Sequence, residues 1–158
     1  MGIVNTEIKQ KTIKKAVSLV GVGLHTGKNV TLTFKPALAN TGLAFKRVDL
    51  EGMPVIEADA SYVTNTQRGT CLEKNGVTIQ TSEHVLAALV GMDVDNVILE
   101  LNASEPPIMD GSSKFFVKAI EDAGIVELDA FREEYVITDV ISYTDEESGS
   151  EILVMPCK

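Results

Sequence analysis

Gly69-Thr70-Cys71-Leu72-Glu73-Lys74-Asn75-Gly76-Val77-Thr78-Ile79-Gln80 runs without a gap into Thr81-Ser82-Glu83-His84-Val85-Leu86-Ala87-Ala88-Leu89-Val90-Gly91. The first half reads as a β-hairpin. Gly69–Leu72 and Val77–Gln80 flank Asn75-Gly76, and Asn-Gly supplies the positive φ angles of a tight turn. The second half reads as a helix over residues 82–90, with Ser82 as N-cap and Gly91 as stop. Glu83 then sits in the first turn, where the helix dipole favours an anion. Beyond it, Asn96-Val97-Ile98-Leu99-Glu100-Leu101 is nearly continuous apolar sequence. Such a run predicts a central strand buried on both faces. Strands and helices therefore alternate within one short stretch.

Working outward, Val30, Leu32 and Phe34 alternate with Thr31, Thr33 and Lys35, the period of a half-buried strand. Leu43–Arg47 is a second strand after the turn Ala39-Asn40-Thr41-Gly42. A second helix spans residues 113–123. Phe116, Ala119, Ile120 and Ala123 form its apolar stripe, Ser112 or Ser113 caps it, and Gly124 stops it. Residues 125–131 read as a joint. Tyr135–Tyr143 and Glu151–Met155 then form a hairpin, which alone is marginal in water and needs a sheet to join.

The chain has 158 residues, 44% of them hydrophobic and 23% charged, which suits an ordinary globular domain. A domain of this size buries roughly 70% of the surface of its unfolded chain, so neither disulfides nor metal are needed for a core. Two cysteines, no apolar N-terminal segment and no apolar run of membrane length predict a cytoplasmic protein with reduced thiols and no transmembrane segment. Cys71, in a predicted strand, reads as a small packing residue. The net charge of −9 is divided unevenly. Residues 1–50 hold eight basic residues against two acids, whereas residues 51–158 hold six against twenty-one. An acidic whole excludes general nucleic-acid binding. The basic front third suits an anionic small molecule, and serves equally as a solvated strand face.

Three motifs carry potential chemistry. Gly21-Val22-Gly23-Leu24-His25-Thr26-Gly27 does not fit a dinucleotide loop, because its third glycine comes one residue late and a strand follows. It does not fit a phosphate loop either, because Lys28 precedes Asn29. It reads as a glycine-rich turn, or as a loop that offers His25 to a ligand. Thr81-Ser82-Glu83-His84 sets a carboxylate beside an imidazole at a helix start. Adjacent helical residues point about 100° apart, so the two can approach one ion or water from different directions. An imidazole that ligates zinc and a carboxylate that takes a proton from the attacking water suit metal-assisted hydrolysis. A capping acid beside an ordinary histidine is the plainer reading. Glu105-Pro106-Pro107-Ile108-Met109-Asp110-Gly111-Ser112-Ser113 is a loop that leads into a helix. Asp110 either completes its turn or orients a histidine or ligand.

Together with Asp95-Asn96-Val97, these motifs closely resemble the N-terminal half of the UDP-3-O-acyl-N-acetylglucosamine deacetylases. They occur in that family's order and approximate spacing, over most of residues 8–135. The resemblance implies an α+β fold, a two-layer sheet-and-helix sandwich that is the first of two similar domains. On that basis residues 1–127 form the first domain, 128–134 a linker, and 135–158 the opening hairpin of a truncated second domain. It implies a zinc-dependent amidohydrolase of lipid A synthesis that removes acetate from a UDP-linked, O-acylated glucosamine. His84 then corresponds to one zinc ligand, Glu83 to the general base, His25 to an active-site residue near substrate, and Asp110 to a supporting carboxylate. The other zinc ligands, a His and an Asp, belong to the missing second domain, the expected intramolecular partner. The isolated chain is therefore expected to be inactive. Two alternatives stand beside this reading. One is a non-catalytic UDP-sugar or anion-binding module on the same scaffold. The other is a self-contained site built from His25, Glu83, His84 and Asp110.

Overall fold

The computed structural model describes residues 2–157. Its strands are β1 (Gly2–Ile13), β2 (Val17–Val22), β3 (Asn29–Pro36), β4 (Leu43–Arg47), β5 (Val55–Glu57), β6 (Val63–Asn65), β7 (Cys71–Lys74), β8 (Val77–Ile79), β9 (Val97–Leu101), β10 (Ile125–Val136), β11 (Ile141–Thr144) and β12 (Glu151–Val154). Helices α1 (Glu83–Gly91) and α2 (Lys114–Ala123) complete an α+β fold. The chain divides into two compact units. One comprises Gln10–Ala130, the other the residues up to Lys9 together with those from Phe131 onward.

In the larger unit, five strands form a sheet in the order β2-β3-β9-β4-β5. All neighbours are antiparallel except β4 and β9. Val30, Leu32 and Phe34 of β3 and Val97, Leu99 and Leu101 of β9 are buried, as period two requires. They share one core with Val85, Ala88 and Leu89 of α1 and Phe116, Ile120 and Ala123 of α2. The Phe34 and Phe116 rings lie 6.5 Å apart, centroid to centroid, in a tilted pair. Strands β6, β7 and β8 form a separate antiparallel sheet, with Asn75 and Gly76 both at positive φ in the β7–β8 turn.

Several expectations need correction. Strand β9 is not buried on both faces. Ile98 and Glu100 alternate out of the core, and Glu100 pairs with Lys35 and Lys46 on that other face. Ser82 does not cap α1. Its own backbone is already helical, at φ −78° and ψ −19°, and its hydroxyl instead donates to the Thr70 carbonyl. Ser113 likewise makes no cap, whereas the Ser112 hydroxyl accepts from the Lys114 N–H at the start of α2. Residues 125–131 are not a joint but part of β10, which pairs with β1, and the expected linker 128–134 lies inside the same strand. Residues 2–9 cluster with those from 131 onward rather than with the larger unit. In the C-terminal hairpin, β11 begins only at Ile141, not at Tyr135, and Tyr135 belongs to β10. Pairing runs from Ile141↔Val154 to Thr144↔Glu151.

The Asp95-Asn96 motif is scaffold. Asp95 accepts from the Lys11 N–H, and buried Asn96 accepts from the Gly42 N–H while its amide donates to Gln10. Arg47 joins the two sheets of the larger unit. Its guanidinium makes two hydrogen bonds to Asp49 and a third to the Thr78 carbonyl.

Candidate functional site

Three of the four motifs meet at one buried carboxylate. Glu105 is fully buried, and it accepts from the His25 N–H, the Thr26 N–H, the Thr26 hydroxyl and the Thr81 hydroxyl at 2.9–3.1 Å. The two successive amides form a nest for an anion. In this chain that nest is filled by the protein's own side chain. The glycine-rich loop therefore does not offer those amides to a phosphate, which removes the phosphate-cradle reading on chemical grounds. Burial pushes the Glu105 carboxyl up. The hydrogen bonds from Thr26 and His25 N–H, then from the Thr81 and Thr26 hydroxyls, outweigh it and hold the group below its ordinary value.

The loop is shaped to reach Glu105. A Cβ on Gly23 would lie 2.3 Å from Thr26 Oγ1 and 2.6 Å from Glu105 Oε2. One on Gly21 would lie 2.9 Å from Pro107 Cβ. The Ile108 N–H donates to the Val22 carbonyl, so the two loops are zipped together.

His25 is presented outward from this support. Its Nε2 lies 3.2 Å from the Arg68 carbonyl, and the ring lines a cleft of about 220 Å³ with Gln67, Arg68, Gly69, Gln80 and Thr81. Cys71, half-buried, also lines this cleft. The loop at residues 68–70 is itself clamped to α1. Thr70 donates its N–H to Glu83 Oε2 at 2.8 Å, and its carbonyl accepts from Ser82 N and Oγ. With Oε2 held, Glu83 Oε1 sits 3.9 Å from His84 Nε2. Both side chains are partly exposed. The His84 carbonyl accepts from Ser113 Oγ, which ties α1 to α2.

The structure thus brings together His25, Glu83 and His84 through the loop at 68–70. Asp110 stands apart from that chain of contacts. It accepts from the Ser112 hydroxyl and N–H, which hold its carboxyl low, and it lines a second, more apolar hollow with Gly21, Val22, Met109 and Phe115. Glu105 and Thr81 were not singled out by sequence reasoning. An acid between serine and proline gives no sign that it is buried.

A zinc centre needs three protein ligands and one open position. Among the described residues no group of three or more His, Cys, Asp or Glu side chains is arranged to hold a metal. At the start of α1 one imidazole has one carboxylate beside it, at 3.9 Å. No helix among the described residues is long and apolar enough to cross a membrane.

Comparison with known proteins agrees with this architecture. The chain is 48% identical over 149 residues to a bifunctional enzyme LpxC/FabZ of Bacteroides thetaiotaomicron, covering 94% of this chain and 32% of that protein. It is 43% identical to a bifunctional enzyme LpxC/FabZ of Chlorobaculum tepidum, covering 94% and 32%. It is 46% identical over 147 residues to a UDP-3-O-acyl-N-acetylglucosamine deacetylase of Idiomarina loihiensis, covering 92% and 48%. The chain thus spans about a third of the bifunctional relatives and about half of the single-function one. A family model for UDP-3-O-acyl N-acetylglycosamine deacetylase (LpxC) matches residues 10–158, and the chain belongs to that family.

Proposed function

We propose that this chain forms the N-terminal part of a zinc-dependent deacetylase. The enzyme hydrolyses the acetamide of UDP-3-O-(3-hydroxyacyl)-N-acetylglucosamine and releases acetate in cytoplasmic lipid A biosynthesis. The larger unit corresponds to the first two-layer domain, and the residues from Phe131 onward hold the opening of the second. The single observation that carries this reading is the Glu83–His84 pair, with Oε2 pinned by Thr70 and Oε1 turned 3.9 Å from the imidazole Nε2.

In this reading His84 is one zinc ligand and the remaining ligands come from outside residues 1–158. Glu83 takes a proton from the water that attacks the acetamide carbon, the C–N bond breaks, and the amine nitrogen takes up a proton. His25 contacts the substrate at the cleft, and Asp110 is a supporting active-site carboxylate that lines the second hollow. The alternative binding module would grip a UDP-sugar without hydrolysis. It gains nothing from the glycine-rich loop, whose amides at 25 and 26 are committed to Glu105.

The test compares the chain alone with the chain joined in frame to the unmatched half of the Idiomarina loihiensis relative. The joined protein should release acetate from the UDP-sugar in a metal-dependent manner, and Glu83→Gln should abolish release. The chain alone should be silent. Acetate release by the chain alone overturns the claim that it is incomplete. A folded but inactive joined protein, with tight metal-independent UDP binding by calorimetry, favours the binding module.

A further inference from the structure

We propose that Glu105 is a positioning residue whose buried carboxylate couples the His25 loop to the start of α1 and so sets His25 and the Glu83–His84 pair relative to one another. Glu105 is not among the residues that line the cleft, and its hydrogen bonds go to the His25 amide, Thr26 and Thr81 rather than to the side chains of His25, Glu83 or His84. Its four donors come from two separate segments, residues 25–26 and residue 81. Its influence passes through two short covalent links, from the His25 amide to its own ring and from Thr81 to Glu83.

The chemistry of the site argues for geometry rather than for stability as its purpose. Burying a carboxylate costs free energy unless hydrogen bonds replace its water. Here no cation pairs with it among the described residues, and dipoles alone meet the charge. A well-packed apolar side chain would fill the same space at lower cost, but it could not hold two loops at a defined separation. Thr81 supplies a second, independent sign. It is a β-branched residue at φ +52°, a strained conformation outside glycine, and its hydroxyl is aimed at Glu105. Arg68, whose carbonyl meets the His25 ring, sits at φ +67°. Two of the left-handed residues, Arg68 and Thr81, thus line the same cleft as His25.

Glu105→Gln isolates the effect, because it keeps the shape and removes the charge. Glutamine has one acceptor oxygen, and its NH2 group would face an N–H or O–H donor that needs an acceptor. In nitrogen–proton NMR spectra of the 158-residue chain, the His25 and Thr26 amides should move upfield. Resonances of residues 68–70, Glu83 and the His25 and His84 rings should shift too, although Glu105 makes no hydrogen bond to any of them. Amides of β9 and the middle of α2 should stay in place. Shifts confined to residues 25, 26 and 81 would overturn the proposal, since a merely structural residue leaves the rest of the native site unchanged. If Glu105→Gln does not fold, Thr81→Val removes one donor at constant shape and carries the same expectation for the His25 ring.

A second arm rests on the deacetylase reading. In the joined protein, Glu105→Gln should lower kcat by about 10²-fold with little change in KM, the scale of a 1 Å misplacement. The two arms separate the failures. If the coupled shifts appear while the unsubstituted joined protein is inactive, the deacetylase reading falls and the positioning role stands. If the joined protein is active but kcat is untouched and the shifts stay local, the positioning role falls alone.

Discussion

Gly23→Ala is the sharpest probe of the packing around Glu105. Gly23 does not have a positive φ, so alanine meets no backbone strain there. What alanine meets is two oxygen atoms. Ordinary contact begins near 3.4 Å, so Thr26 Oγ1 must retreat by about 1.1 Å and Glu105 Oε2 by about 0.8 Å. Neither atom is free to retreat, because they are bonded to each other at 3.0 Å and Oε2 also accepts from the Thr26 N–H. Losing one or two hydrogen bonds to a charged group costs roughly 1.5–3 kcal/mol each, which puts the penalty near 3 kcal/mol. Gly27, four residues on, is the control. It needs glycine for the opposite reason, having φ +63° and nothing within 4 Å of a Cβ. Alanine there costs about 1–2 kcal/mol of left-handed strain. Thermal unfolding followed by far-ultraviolet circular dichroism reads the difference. At roughly 2–4 °C per kcal/mol for a chain of this size, Gly23→Ala should lower Tm by about 6–12 °C, and by more than Gly27→Ala does. The source is tested in a Thr26→Ala background, where one of the two clashes is gone. Gly23→Ala should then cost less, with a coupling of about 1–2 kcal/mol. Equal losses at positions 23 and 27, or strict additivity with Thr26→Ala, would refute the reasoning.

The remaining expectations concern stability and dynamics. Glu105 has a folded pKa below its ordinary value of 4.5, so its contribution is present above that value and is lost as pH falls through the depressed folded one. Denaturant titrations should show the stability gap between the unsubstituted chain and Glu105→Gln shrinking in that acid window, and a gap constant from neutral to strongly acid pH would contradict this. Arg47→Lys should cost about 2 kcal/mol by urea unfolding, because lysine cannot reproduce the paired bonds to Asp49 together with the bond to Thr78. Phe116→Ala empties a fully buried site against Phe34 and should cost about 3–5 kcal/mol. Amides of β11 and β12 should exchange with deuterium far faster than those of β9, because every residue of β12 is exposed and a two-stranded pair is marginal.

Local signals were legible where one residue type dictates one conformation. Asn75-Gly76 fixed the hairpin turn, the period-two run of β3 announced its buried face, and the stripe of α2 marked its core side. Long-range pairing was not legible. Strands β1 and β10 pair across more than a hundred residues, and neither has an alternation strong enough to demand a partner. The apolar run of β9 suggested two buried faces, because a sequence does not say that Glu100 meets Lys35 and Lys46. The adjacency of Glu83 and His84 at the start of α1 was readable, because adjacency on a helix start is itself geometry. Glu105 was quoted only as part of a loop, since its meaning depends on donors some eighty residues upstream at 25 and 26.

The left-handed residues explain why such a site resists reading from sequence. Asn40 and Asn75 take positive φ where asparagine is expected to. Thr81 does so against its own preference, at a cost of order 1–3 kcal/mol. A hydrogen bond to a charged group contributes roughly 1.5–3 kcal/mol, so the Thr81–Glu105 bond is of the right size to offset that strain. The sign of the balance then depends on the charge. With Glu105 ionised, Thr81 is held in its strained turn and Ser82 and Glu83 are aimed at Thr70; with the charge removed, the turn has less to hold it. Thr81→Gly separates the two terms, because glycine removes both the strain and the bond. It should destabilise the chain far less than Thr81→Val, which removes the bond and keeps the strain. Urea titrations that found Thr81→Val the milder change would show that the Glu105 contact does not hold the turn.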